Sequence, residues 1–153
     1  MSAAEIIKQE LLNRCLALGE QRIENARQAM SAAQEAANNE SKSSAGDKYE
    51  TGRAMAQIER DKAAQQLSEA LALKNSVEII ALNPPSGNVL LGSLVKTDGP
   101  HFFIAISAGK VRVDDTDFFV VAPASPIGRA LIGLQMGDPF TFNNKVINII
   151  EIL

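Results

Sequence analysis

The chain has 153 residues, enough for one ordinary domain or two small ones, and its 46% hydrophobic and 22% charged content is that of a globular protein. A net charge of −3 with no basic block argues against strong direct binding to nucleic acid. A single His and a single Cys leave too few ligands for a zinc site and make a Cys-His catalytic pair an unpromising reading.

Residues 1–75 contain no proline and read as helix. The opening MSAAEIIKQELLNRC mixes charge into its apolar run, which is not the pattern of a secretory signal. No segment approaches the ~20 apolar residues of a membrane span. Cys15 has no partner for an internal disulfide, which suits a reducing cytoplasm, and beside Leu16 it reads as a small packing residue. Leu12, Leu16, Gly19, Ile23, Ala26, Met30, Ala33 and Ala37 recur at alternating spacings of four and three. This is the apolar seam of a coiled coil, and its residues shrink toward Ala along the helix.

The segment 38–46, NNESKSSAG, breaks that pattern with turn formers. Ser44 and Asp47 have the spacing of a capping box at a new helix start. A second, narrower seam follows at Gly52, Ala56, Ala63, Leu67 and Ala70. Two helices joined by a short polar loop are expected to pack antiparallel as a hairpin of residues 1–75, its tip at about 38–50. At 1.5 Å per residue each helix would be roughly 42–50 Å long. Two seams in one chain favour a monomer folded on itself, although a seam does not name its partner and a dimerisation coiled coil is the alternative.

After Lys74 the period changes, and 76–153 reads as a separate domain. VEIIAL (77–82), VLLGSLVK (89–96), HFFIAIS (101–107), KVRV (110–113) and DFFVVA (117–122) are expected strands, separated by turn signals such as Asp98-Gly-Pro and Asp114-Asp. Ser125 is a good N-cap, Pro126 fits the first helical position and Gly133 can end the helix in a left-handed conformation. The final TFNNKVINIIEIL predicts a hairpin turning at Asn143-Asn144. The fold class is α+β: a helical hairpin, then an antiparallel sheet of about five or six strands with one short helix.

The stretch SPIGRALIGLQMGD (125–138) resembles the C-terminal signature of the Gre family of transcript-cleavage factors, in which a Ser-Pro run opens a short helix and a Gly-Asp turn leads into the last strands. The order of elements matches that family as well: coiled coil, linker, then an FKBP-like domain. The resemblance implies an accessory factor of RNA polymerase rather than an enzyme. Its C-terminal domain would grip the rim of the secondary channel, with Ser125 and Pro126 at the docking surface, and its coiled coil would enter the channel. The factor would carry no cofactor or metal of its own. Acidic residues at the tip would help hold a Mg2+ of the polymerase, because a hard cation takes carboxylate oxygens and a second metal activates water for phosphodiester attack.

The tip departs from the family pattern. With Tyr49 matched to the tyrosine of Asp-Leu-x-Glu-Asn-x-Glu-Tyr, the acidic positions fall on Lys42, Ala45 and Lys48, and Ala124 stands where the family tends to place Asp or Asn. The carboxylates near the tip are Glu40, Asp47 and Glu50. Asp47 serves equally well as a helix-start acid, and Glu40 and Glu50 as solvated charges. Stimulation of cleavage and non-cleaving modulation both remain open at this point. Two other classes compete: a coiled-coil adaptor with a different protein partner, and a prolyl isomerase. The second is disfavoured because such pockets are aromatic-lined, whereas this chain has no Trp and one Tyr.

Overall fold

The computed structural model describes residues 3–42, 47–80 and 87–153, with side chains at all of these except 40–42 and 47–50. Two long helices come first, α1 (Ala3–Lys42) and α2 (Asp47–Ile80). Six strands follow: β1 (Leu94–Thr97), β2 (His101–Ile104), β3 (Gly109–Val113), β4 (Thr116–Val121), β5 (Pro139–Phe142) and β6 (Lys145–Ile152). A short helix α3 (Pro126–Leu131) stands between β4 and β5. The chain divides into two compact units, residues 18–74 and residues 1–17 with 75–153.

The unit of 18–74 is two helical segments running in opposite directions. Gly19 lies so close to α2 that a Cβ there would stand 3.2 Å from Leu73 Cδ2 and 3.5 Å from Lys74 Cβ. Nearby, Lys74 Nζ approaches Glu20 Oε1 at 3.8 Å. Farther along, Ala37 and Asn38 share a groove with Arg53 and Ala56. Along α1, Ile23, Ala26 and Ala33 are buried, and along α2 Ala56, Ala63 and Ala70 are buried at intervals of seven. Small residues at these positions let two backbones come close. The outer faces carry hydrogen bonds one turn apart, such as Gln21 to Asn25 and Gln57 to Asp61, each worth about 0.2–0.5 kcal/mol.

The sheet has the order β3-β4-β2-β1-β6-β5. All neighbouring pairs are antiparallel except β2 and β4, which run parallel, so the sheet is mixed rather than wholly antiparallel. The cause is the β3–β4 hairpin, which folds back and lays β4 beside β2. Both faces are buried. One carries Val95, Phe102, Ile104, Ile147 and Ile149, covered by Leu131 of α3 and by Val89. Phe102 meets Phe140 and Phe142 edge-on, with ring centroids 5.8 and 5.4 Å apart, an arrangement favoured by the ring quadrupole. The other face carries Leu94, Phe103, Phe118 and Val120, at most 1% exposed. In the same unit Leu11, Cys15, Val77 and Ile80 are buried.

Two expected strands are corrected. Residues 77–80 are the last turn of α2, because Val77 continues the seven-residue rhythm of Ala63 and Ala70 and is buried on the same helix. Residues 81–82 of that expected strand lie outside the described residues. In the 89–96 run only 94–96 are strand. Gly92, at φ +91°, interrupts it, and Ile80 Cγ2 would stand 3.0 Å from a Cβ at that position. The hairpins turn where expected: Asp114-Asp115 and Asn143-Asn144 all adopt positive φ between 49° and 64°, the geometry of a two-residue turn that matches strand twist.

Candidate docking site

The Ser-Pro segment folds into a closed elbow between β4 and α3. Ser125 is extended at φ −67°, ψ 158°, as a residue before proline prefers, and Pro126 takes the first helical position, where no N–H is needed. The Ser125 hydroxyl donates to the Ala122 carbonyl at 2.6 Å and accepts from Gly128 N–H at 3.1 Å. Its backbone N–H also donates to Ala122 O, at 3.1 Å. Glycine is required at 128: a Cβ there would overlap Ala122 O and stand 2.9 Å from Pro123 O. Gly133 follows α3 at φ +88° and donates to Val89 O at 2.8 Å, while Leu134 O accepts from Val89 N–H at 2.8 Å. At the end of the motif Asp138 Oδ2 accepts from Gln135 N–H at 2.8 Å, and Gly137 N–H donates to Ile149 O at 2.8 Å. The motif therefore builds one elbow, one short helix and one turn that ties β5 to β6.

Ser125 is half-buried with its hydroxyl used on both sides, whereas Pro126 is exposed. Ala124, Arg129 and Ala130 are exposed around it. The outer surface of the elbow is thus Ala124, Pro126 and Arg129, with the half-buried Ser125 bonded beneath it. Arg129 was not among the expected docking residues, although it is the arginine of the SPIGRALIGLQMGD stretch that carries the resemblance. Farther along the chain, Leu90, Ile132 and Met136 are also exposed.

Of the tip carboxylates, Glu40 falls in the last turn of α1, Asp47 is the first residue of α2, and Glu50 lies three positions on. Their side chains lie outside the described ones, as does the expected capping residue Ser44. Among the described residues no group of three His, Cys, Asp or Glu could hold a metal ion, and no helix is long and apolar enough to cross a membrane. Cys15 is buried, and desolvation pushes its thiol up to about 11, so it stays protonated and unreactive at neutral pH.

No protein-family model matches the chain, and no curated protein matches its sequence.

Proposed function

We propose that the protein is an RNA polymerase-binding regulator of transcription elongation, acting in the cytoplasm as a monomer and holding no active site of its own. In this reading α1 and α2 form an antiparallel coiled coil that enters the secondary channel of the polymerase. The sheet unit is the FKBP-like domain, and it docks on the channel rim through the elbow at Ser125 and Pro126. The observation that carries the reading is that elbow. Ser125, Pro126, Gly137 and Asp138 of the Gre-like signature each have a defined place in it or in the turn after α3, and Gly128, at a position the signature leaves open, closes the elbow. The compact two-helix unit of 18–74 supports the reading as well.

At the tip, Asp47 and Glu50 are three apart in the first turns of α2, a spacing that puts both on one side of a helix. Together with Glu40 they would lend oxygens to a Mg2+ held chiefly by the polymerase, and alone they would hold it weakly, since magnesium sheds water reluctantly. The test is an assay of backtracked polymerase complexes, following RNA cleavage and elongation rate with wild type, Asp47→Asn and Glu50→Gln. The wild type should change one of these rates, and the effect should fall sharply in both variants. Variants equal to an active wild type would leave a helical unit that acts by obstruction, and a wild type without effect would remove the reading.

A further inference from the structure

The turn between β1 and β2, residues 97–101, is held by two acceptors that bind only in one protonation state. Thr97, 3% exposed, donates its hydroxyl to Pro100 O at 2.5 Å and accepts from Gly99 N–H at 2.9 Å. Its own N–H donates to His101 Nδ1 at 3.3 Å. The neutral ring therefore carries its proton on Nε2, and a proton added at Nδ1 would face the Thr97 N–H with no lone pair left to receive it. One residue along, Asp98 clamps the turn onto β6. Its Oδ1 accepts from Asn148 N–H at 3.0 Å, its Oδ2 accepts from the Asn148 side chain at 3.2 Å, and its N–H donates to Asn148 O at 3.2 Å. Protonation of that carboxylate would weaken both side-chain contacts.

The turn also forms a wall. Asp98, Gly99 and Pro100 line one side of a groove of about 420 Å³, whose other side is Phe142, Lys145 and Val146 of the β5–β6 hairpin. We infer that the 97–101 turn is a two-step acid-released latch: proton uptake by His101 breaks its bond to Thr97 N–H and loosens the turn from within, and at lower pH proton uptake by Asp98 frees the turn from β6 and opens the wall of this groove.

The surroundings favour the latched state near neutrality. His101 is partly buried, its ring tilted at 36° beside Phe118 of β4 with 5.9 Å between centroids, and the charged group acting on it is Lys96 of β1. Asp117, next to Phe118, approaches Lys110 and Arg112 of β3 at 3.4 and 3.8 Å. Burial first, and Lys96 second, hold the imidazole below its ordinary 6.5. The hydrogen bonds from Asn148 hold Asp98 below its ordinary 3.8. Both groups have lowered values in the folded chain. The contribution of His101 is thus complete above pH 6.5 and is lost as pH falls through its folded value. That of Asp98 is complete above 3.8 and fails at still lower pH.

The experiment is a pH titration of the full-length 15N-labelled protein by two-dimensional NMR, from about pH 8 to about 2.5, a range that spans histidine and then carboxylate titration. The His101 ring should titrate with a midpoint below 6.5, the amides of Thr97 and Gly99 should shift with the same midpoint, and the Asn148 amide should move only below 3.8, with Asp98. Amides of residues 18–74 should stay in place. In His101→Asn, whose Oδ1 can replace Nδ1 as acceptor without titrating, those shifts should vanish above about pH 5. A wild-type ring that titrates while the Thr97 and Gly99 amides stand still would overturn the inference, as would the same shifts surviving in His101→Asn or an Asn148 amide unmoved as Asp98 protonates.

Discussion

A methyl group at position 128 would overlap the carbonyl oxygen of Ala122 and press on Pro123 O at 2.9 Å, both backbone atoms that cannot swing aside. Gly128→Ala should therefore cost at least about 3 kcal/mol, the upper part of the range for overpacking. For a chain of this size that is roughly 6–12 °C in melting temperature. Gly133 is the control. It has a positive φ of 88° and open space around it, so Gly133→Ala pays backbone strain alone, about 1 kcal/mol or roughly 2–4 °C. Thermal melts of the two variants decide it. Equal losses would mean that the elbow yields to accommodate a side chain. Within the motif, the cap at Ser125 and the stop at Gly133 were legible in the sequence, because each is a local rule about one residue and its neighbours. The need for glycine at 128 was not, since it arises from a carbonyl six residues earlier that only the folded elbow brings near.

At the scale of elements, the helices owe their close approach to alanine. Ala63 is 3% exposed and sits midway between Ala56 and Ala70 on the buried side of α2. Ala63→Leu should destabilise by about 1–3 kcal/mol through overpacking, whereas Ile58→Gln, at a side chain 64% exposed, should stay within about 0.5 kcal/mol. Denaturant midpoints measure both, and a neutral Ala63→Leu would show that the helices do not pack tightly there. The first seam was largely readable, since Leu12, Gly19, Ile23, Ala26 and Ala33 are buried; of the second, Ala56, Ala63 and Ala70 are buried, seven apart, while Gly52 and Leu67 are only partly so. The misread segment at 77–80 shows where such reading stops. Val77, Ile79 and Ile80 suit a strand by composition, but Val77 and Ile80 are three apart, and burial of that pair continued the helix instead. The parallel pairing of β2 with β4 was hidden for a different reason. Each strand signal is local, while a strand's neighbour is set by how the β3–β4 hairpin folds back.

For the molecule as a whole, the proposal needs one unit to reach and one to dock, and the chain forms two compact units. The first seventeen residues group with the sheet, so the sheet unit is assembled from both sides of the two-helix segment in the chain. Its edges are poorly suited to pairing with other strands. At one, Lys110 and Arg112 of β3 lie within 3.9 Å of acidic oxygens on Asp115 and Asp117, and at the other, four-residue β5 opens with Pro139. That leaves the exposed side chains of the elbow as the surface on which the account depends. The direct measurement is binding of the full-length protein to purified bacterial RNA polymerase, by interferometry, for the wild type and for Pro126→Ser with Arg129→Glu. The account predicts saturable binding of the wild type and at least a tenfold loss in the double variant, about 1.4 kcal/mol, with its melting temperature little changed. Binding of equal strength by a folded double variant would contradict docking through the elbow, and no binding by the wild type would contradict the account itself.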